Sequence, residues 1–117
     1  MQWQRVLGGL SGAMSVGAGA YGSHGMKGKD EVYAKVFQTG SHYQLVHSAL
    51  LAATPAICGG GSRATKVAGA FFASGIVLFS GSCYAVGILE DRSVGKAAPV
   101  GGFALIFGWI SLAVLRK

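Results

Sequence analysis

Residues 38–55 read QTGSHYQLVHSALLAATP. No residue in this stretch carries a fixed charge, and its second half is apolar enough for the interior of a bilayer. Its first half nevertheless holds Gln38, Ser41, His42, Tyr43, Gln44, His47 and Ser48. Polar groups in a membrane helix turn toward other helices or toward a cavity rather than toward lipid. The stretch therefore predicts a helix whose deeper polar side chains face its neighbours.

The composition around it agrees. Charged residues make up 12% of the chain, about half the share usual in a soluble domain. The 20 glycines follow no three-residue period, which excludes a collagen-like chain. Uncharged runs extend over Val6–Met26, Val36–Ser62, Val67–Leu89 and Ala97–Leu115, each at least 19 residues long. A helix needs roughly 20 residues to cross a hydrocarbon core of about 30 Å. The expected fold is all-α: one domain over residues 1–117, an integral membrane four-helix transmembrane bundle with spans near 6–26, 36–58, 67–89 and 97–115.

The net charge of +6 does not point to nucleic acid, because the cations come in twos and threes at span ends and form no single patch. They suit membrane lipids, with cardiolipin or another anionic lipid as partner, at about 1 kcal/mol per cation near such a surface. Arg116 and Lys117 would snorkel to headgroups, and Trp3 would anchor at the interface. Four spans put both termini on one side with Arg5, Arg63, Lys66, Arg116 and Lys117. The opposite side holds Lys27, Lys29, Lys35, Arg92 and Lys96. This tie leaves orientation open under the positive-inside rule, with a lean toward termini on the cytoplasmic or matrix side.

The first span is dominated by small residues. Gly8 and Gly12 form a GxxxG, and Gly9, Ala13 and Gly17 form a second ladder; both are candidates for close helix packing. Asp30 is the expected N-cap of a second helix running to about Cys58, roughly 42 Å long, with Pro55 loosening its far end. Pro99 suits the first turn of the fourth helix. Cys58 and Cys83 lie about 24 Å apart along a hairpin of spans two and three. A disulfide needs Cα atoms within about 7 Å, so both are expected as free thiols.

This topology gathers Tyr21, His24, His42, Tyr43, Gln44, His47, Ser80, Ser82, Cys83 and Tyr84 in one half of the bundle. Tyr43, Gln44 and His47 share a helix face, whereas His42 and His47 diverge by about 140°. The plainest reading is interhelical hydrogen bonding, at about 0.6 kcal/mol per bond. A pocket for a headgroup, quinone or small solute is the second. Proton transfer lacks an intramembrane carboxylate to continue a relay. Metal or haem has no supporting motif, so no cofactor and no metal are expected. The four acids sit in connectors without a nucleophile setting, and the chain is not expected to be an enzyme.

The segments GAYGSHGMK, FQTGSHYQLVHSALL, LFSGSCYAVGI and APVGGFALIFGW occur in the order and spacing of a known family. From about Leu7 to Val114 the chain resembles the domain-of-unknown-function 423 family, which includes the animal transmembrane protein 256. The resemblance implies a small four-helix membrane protein without an assigned activity, bacterial in the cell membrane and eukaryotic largely mitochondrial. It marks His24, Tyr43 and His47 as family motif positions; Ser23 departs from the alanine expected there. The expected role is a non-catalytic accessory subunit of a larger mitochondrial inner-membrane complex, such as a respiratory-chain assembly. The alternative is a small-solute, quinone or lipid carrier using the histidine cluster.

Overall fold

A computed structural model describes residues 3–114; Arg116 and Lys117 lie outside the described residues. Helix α1 spans Trp3–His24 and α2 spans Glu31–Cys58. A third rod follows: α3 (Arg63–Gly75), a π-helical turn (Ile76–Ser80) and α4 (Gly81–Leu89). A 3₁₀ turn at Arg92–Gly95 leads into α5 (Ala98–Val114). Each of the four uncharged runs is largely helical, although α1 stops at His24, two residues short of Met26.

The ends are set by local hydrogen bonding. Asp30 caps α2 as expected, its Oδ1 accepting from the Val32 N–H at 2.9 Å. Pro55 does not end α2: Gly59 donates to the Pro55 carbonyl at 2.9 Å, and Gly59, at a φ of 91°, closes the helix. Ser62 Oγ caps α3 by accepting from the Thr65 N–H at 3.1 Å. Asp91 caps the 3₁₀ turn by accepting from the Ser93 N–H and hydroxyl, and those bonds hold its exposed carboxyl below its usual pKa.

The rods stand side by side, with α1 packed on α2, α2 on the third rod, and α5 mainly on that rod with a smaller contact to α2. The assembly is 48 Å long, which exceeds a hydrocarbon core of about 30 Å and leaves helix ends to project into the headgroup layer. Leu51, Ala68, Phe72, Ile76 and Leu105 form an apolar core between α2, the third rod and α5. Elsewhere the rods meet almost backbone to backbone. A Cβ at Gly8 would lie 2.5 Å from the Ala52 nitrogen, and one at Gly75 would lie 3.0 Å from the Leu105 nitrogen.

Burial is inverted relative to a soluble protein. Among the described residues buried side chains are as often polar as apolar, while Leu10, Met14, Val77, Val100 and Phe103 are at least 60% exposed. Water would penalise that surface, and acyl chains would not. By length and composition, Arg63–Leu89 and Arg92–Val114 suffice to cross a membrane. Helices α1 and α2, with 22 and 28 residues, are long enough, but their glycine and polar content keeps them below that apolarity. Ser11 and Ser15 of α1 and Ser41, Gln44 and Ser48 of α2 are turned toward each other.

The two small-residue ladders of α1 face different ways. Gly8 and Gly12 face α2, against Ala52 and Ser48, but the ladder of Gly9, Ala13 and Gly17 is exposed, and a Cβ at Gly9 or Gly17 would meet nothing within 4 Å. The inward ridge instead runs Gly8, Gly12, Ser15, Gly19, Gly22. Adjacent glycines therefore make a direct test. Gly8→Ala should destabilise the protein by about 1–3 kcal/mol, because Ala52 offers only backbone and a methyl to push against. Gly9→Ala should be neutral or stabilising by up to about 1 kcal/mol. Thermal unfolding of both variants in detergent checks the pair.

Candidate functional site

The polar residues of α2 form a ridge that reaches all the other rods. Gln44 is 4% exposed. Its Nε2 donates to the Ser11 carbonyl at 3.0 Å and to Ser11 Oγ at 3.1 Å, and its Oε1 accepts from the Tyr84 hydroxyl. The amide thus uses both N–H groups on α1 and its carbonyl on the third rod. Ser48 donates to Ser11 Oγ at 2.6 Å and Ser41 to the Ser15 carbonyl at 3.0 Å. On the opposite flank Ser80, in the π turn, donates to the Gly40 carbonyl at 2.8 Å.

His47 supplies the tie to α5. Trp109 Nε1 donates to His47 Nε2 at 3.0 Å, and His47 Nδ1 lies 2.7 Å from the Tyr43 carbonyl. An indole nitrogen is only a donor, so Nε2 is the bare nitrogen and Nδ1 carries the hydrogen. Both ring nitrogens of this neutral imidazole are engaged. Neither is left to ligate a metal or to take up a proton unless a bond to Tyr43 or Trp109 breaks. Phe72 and Tyr43 pack on the ring, with centroids at 6.0 and 5.7 Å.

The expected cluster is only partly assembled. Gln44, His47 and Tyr84 lie in the interior, and Tyr43, at 40% exposure, rests its ring on Phe79 at the surface. His24 and His42 are exposed, and Tyr21 packs outward of Phe37 at a centroid distance of 5.5 Å. These three share the right half of the bundle but point away from its interior, so no three-histidine site forms. Ser82 bonds within its own helix, to the Leu78 carbonyl at 2.6 Å, and Cys58 and Cys83 are free and buried. Sequence reading missed Ser11 and Trp109. The signal for Trp109 was present: a tryptophan in the middle of an apolar span needs an acceptor for its N–H, and span two offers one in His47.

Among the described residues no buried side-chain nitrogen or oxygen lacks a hydrogen-bond partner. Beside this satisfied network a groove of about 430 Å³ opens between α1 and the third rod. Leu7, Leu10, Met14, Ile76 and Val77 wall it, and Gln44 and Tyr84 form its floor.

The family model described as "Protein of unknown function (DUF423)" matches residues 18–102, which include Gln44, His47 and Tyr84. The chain belongs to this family. It is 36% identical over 110 residues to a UPF0382 membrane protein of Staphylococcus aureus, covering 93% of this chain and 90% of the relative. It is 37% identical over 110 residues to one from Staphylococcus haemolyticus, with the same coverage. It is 35% identical over 112 residues to the UPF0382 membrane protein YwdK of Bacillus subtilis, covering 93% and 91%. No solved structure matches the chain. Family and fold together make this an all-α, four-helix membrane protein.

If the ridge holds the rods in place, the interior positions should be costly to change and the exterior ones should not. Gln44→Leu should lower stability by about 1–3 kcal/mol by removing its own bonds and stranding the Tyr84 hydroxyl. His24→Gln and His42→Gln should stay within about 0.5 kcal/mol of the parent. Unfolding midpoints in one detergent rank the three variants.

Proposed function

We propose that this protein is a non-catalytic membrane subunit whose four helices form a preset packing element for a larger membrane assembly. The observation that carries this reading is the satisfied interior. Among the described residues no fully buried side-chain nitrogen or oxygen lacks a hydrogen-bond partner, and the amide of Gln44 and both ring nitrogens of His47 are already engaged. The four acidic side chains, Asp30, Glu31, Glu90 and Asp91, lie at or beside helix ends, away from His47. The outward surface supplies contact material of two kinds: the unpartnered Gly9, Ala13 and Gly17 of α1, and the large apolar side chains of α5.

Anionic lipids and a host complex are the partners in this proposal. A mitochondrial inner-membrane address and a respiratory-chain host are its finer form, drawn from the family resemblance. The bacterial relatives support a membrane location without an organelle.

A second reading, a carrier, has one observation in its favour, the groove beside Gln44. It would take an apolar cargo such as a lipid or quinone tail, and the histidines would not form its site.

Native electrophoresis of mildly solubilised source membranes, with mass spectrometry of the bands, separates the two. The subunit reading expects co-migration with a large assembly and loss of that migration on Gly9→Leu or Gly17→Leu, which leave the α1–α2 contact intact. Migration only as a small oligomer, unchanged in those variants, would overturn it in favour of the carrier.

A further inference from the structure

A second cavity lies toward the connector end of the bundle and shares no lining residue with the groove beside Gln44. It measures about 150 Å³ and is lined by Val36 of α2, Ser82, Cys83 and Val86 of α4, Arg92 and Gly95 of the 3₁₀ turn, and Ala98 of α5. Residues of α2, the third rod and α5 meet there, and Gly95 of the 3₁₀ turn packs against Val86. The walls are mostly apolar and the rim carries a guanidinium.

The charges around the rim are unevenly engaged. Among the described residues the one ion pair is Lys29–Glu90 at 3.4 Å, so Arg92 has no carboxylate within 4.0 Å. Asp91, its chain neighbour, turns its Oδ1 to Ser93. Lys35 and Lys96, next in sequence to the lining residues Val36 and Gly95, are exposed. An apolar recess with an unpaired guanidinium at the end of a membrane bundle complements a group that is anionic at its head and hydrocarbon below. We infer that this cavity is a binding site for one anionic phospholipid, with the phosphodiester on Arg92 and an acyl chain entering between Val36, Val86 and Ala98.

Guanidinium geometry suits a phosphodiester, because its planar fork presents paired donors to two oxygens. Cys83 supplies a built-in reporter. Its thiol lines the cavity at 6% exposure, so a lipid seated there blocks the way in. The site rests on the part of the proposed function that names anionic lipids as partners and does not require a host complex, so its failure and the failure of the subunit reading are distinguishable.

The experiment uses the full chain carrying Cys58→Ser, reconstituted in phosphatidylcholine vesicles with or without phosphatidylglycerol. Modification of Cys83 by a small methanethiosulfonate should be several-fold slower with phosphatidylglycerol present. Native mass spectrometry of the extracted protein should show one retained phosphatidylglycerol. Arg92→Gln should lower that retention about five- to tenfold and abolish the protection. Lys66→Gln, a cation at the opposite end, should change neither, and unfolding midpoints establish that both variants are folded. The inference is overturned if Arg92→Gln retains the lipid like the parent, if Lys66→Gln loses it equally, or if Cys83 reacts alike in both vesicles. Protection by inorganic phosphate in pure phosphatidylcholine would also overturn it, by assigning the cavity to a free anion.

Discussion

The amide of Gln44 is the constraint on which the arrangement of rods depends. Buried among helices in an apolar medium, it has to satisfy two N–H groups and a carbonyl without water. It does so by holding Ser11 on one side and Tyr84 on the other, so α1 and the third rod are fixed in height and rotation about α2. This works only because α1 approaches closely enough for its backbone to be within reach of an α2 side chain. The Gly8–Ala52 contact and the small residues beyond it make that approach possible. Glycine packing and amide bonding are therefore a single device: the one brings the backbones together, and the other sets their register.

The energetic scale shows what the device achieves. Hydrogen bonds between membrane helices are worth about 0.6 kcal/mol on average, because the separated helices also find partners. Van der Waals contact along the small-residue ridge contributes alongside them, since lipid provides no hydrophobic drive for helix association. The polar ridge does more for uniqueness than for bulk stability. A one-turn slip of α1 would leave Gln44, Ser41 and Ser48 without their partners together, and each unsatisfied group in hydrocarbon costs several kcal/mol. His47 and Trp109 apply the same logic to α5, whose other contacts are mainly with the third rod.

Much of this was legible in the residues. The uncharged runs located the four helices, Asp30 marked the start of α2, and the density of polar groups in residues 38–55 indicated a helix whose deeper polar side chains face its neighbours. Azimuth was harder to read. In α1 small residues occupy nearly every face, so neither GxxxG spacing nor periodicity distinguishes the inward ridge of Gly8 and Gly12 from the outward ladder of Gly9, Ala13 and Gly17. The same lack of rotational information grouped His24 and His42 with His47: sharing a half of the bundle says nothing about direction. The π turn at Ile76–Ser80 left no signal in the sequence beyond Gly75 and Gly81 at its borders. Trp109 drew no attention because its partner lies 62 residues away.

The π turn also bears on what the lateral groove can hold. Such turns are rare in helices and frequently accompany functional sites. This one does several jobs: Ser80 bonds to α2, Gly101 of α5 packs against the backbone of Leu78 and Phe79, and Ile76 and Val77 wall the groove. The groove is thus framed by a segment anchored on both flanks, so it is a fixed feature of the surface. Its polar floor offers nothing to an occupant, because the N–H groups and the carbonyl of Gln44 are already engaged with Ser11 and Tyr84. A ligand that needed a hydrogen bond there would have to break the contact that holds three rods together. What fits without that penalty is a hydrocarbon surface: an acyl chain, or an apolar side chain of another transmembrane helix.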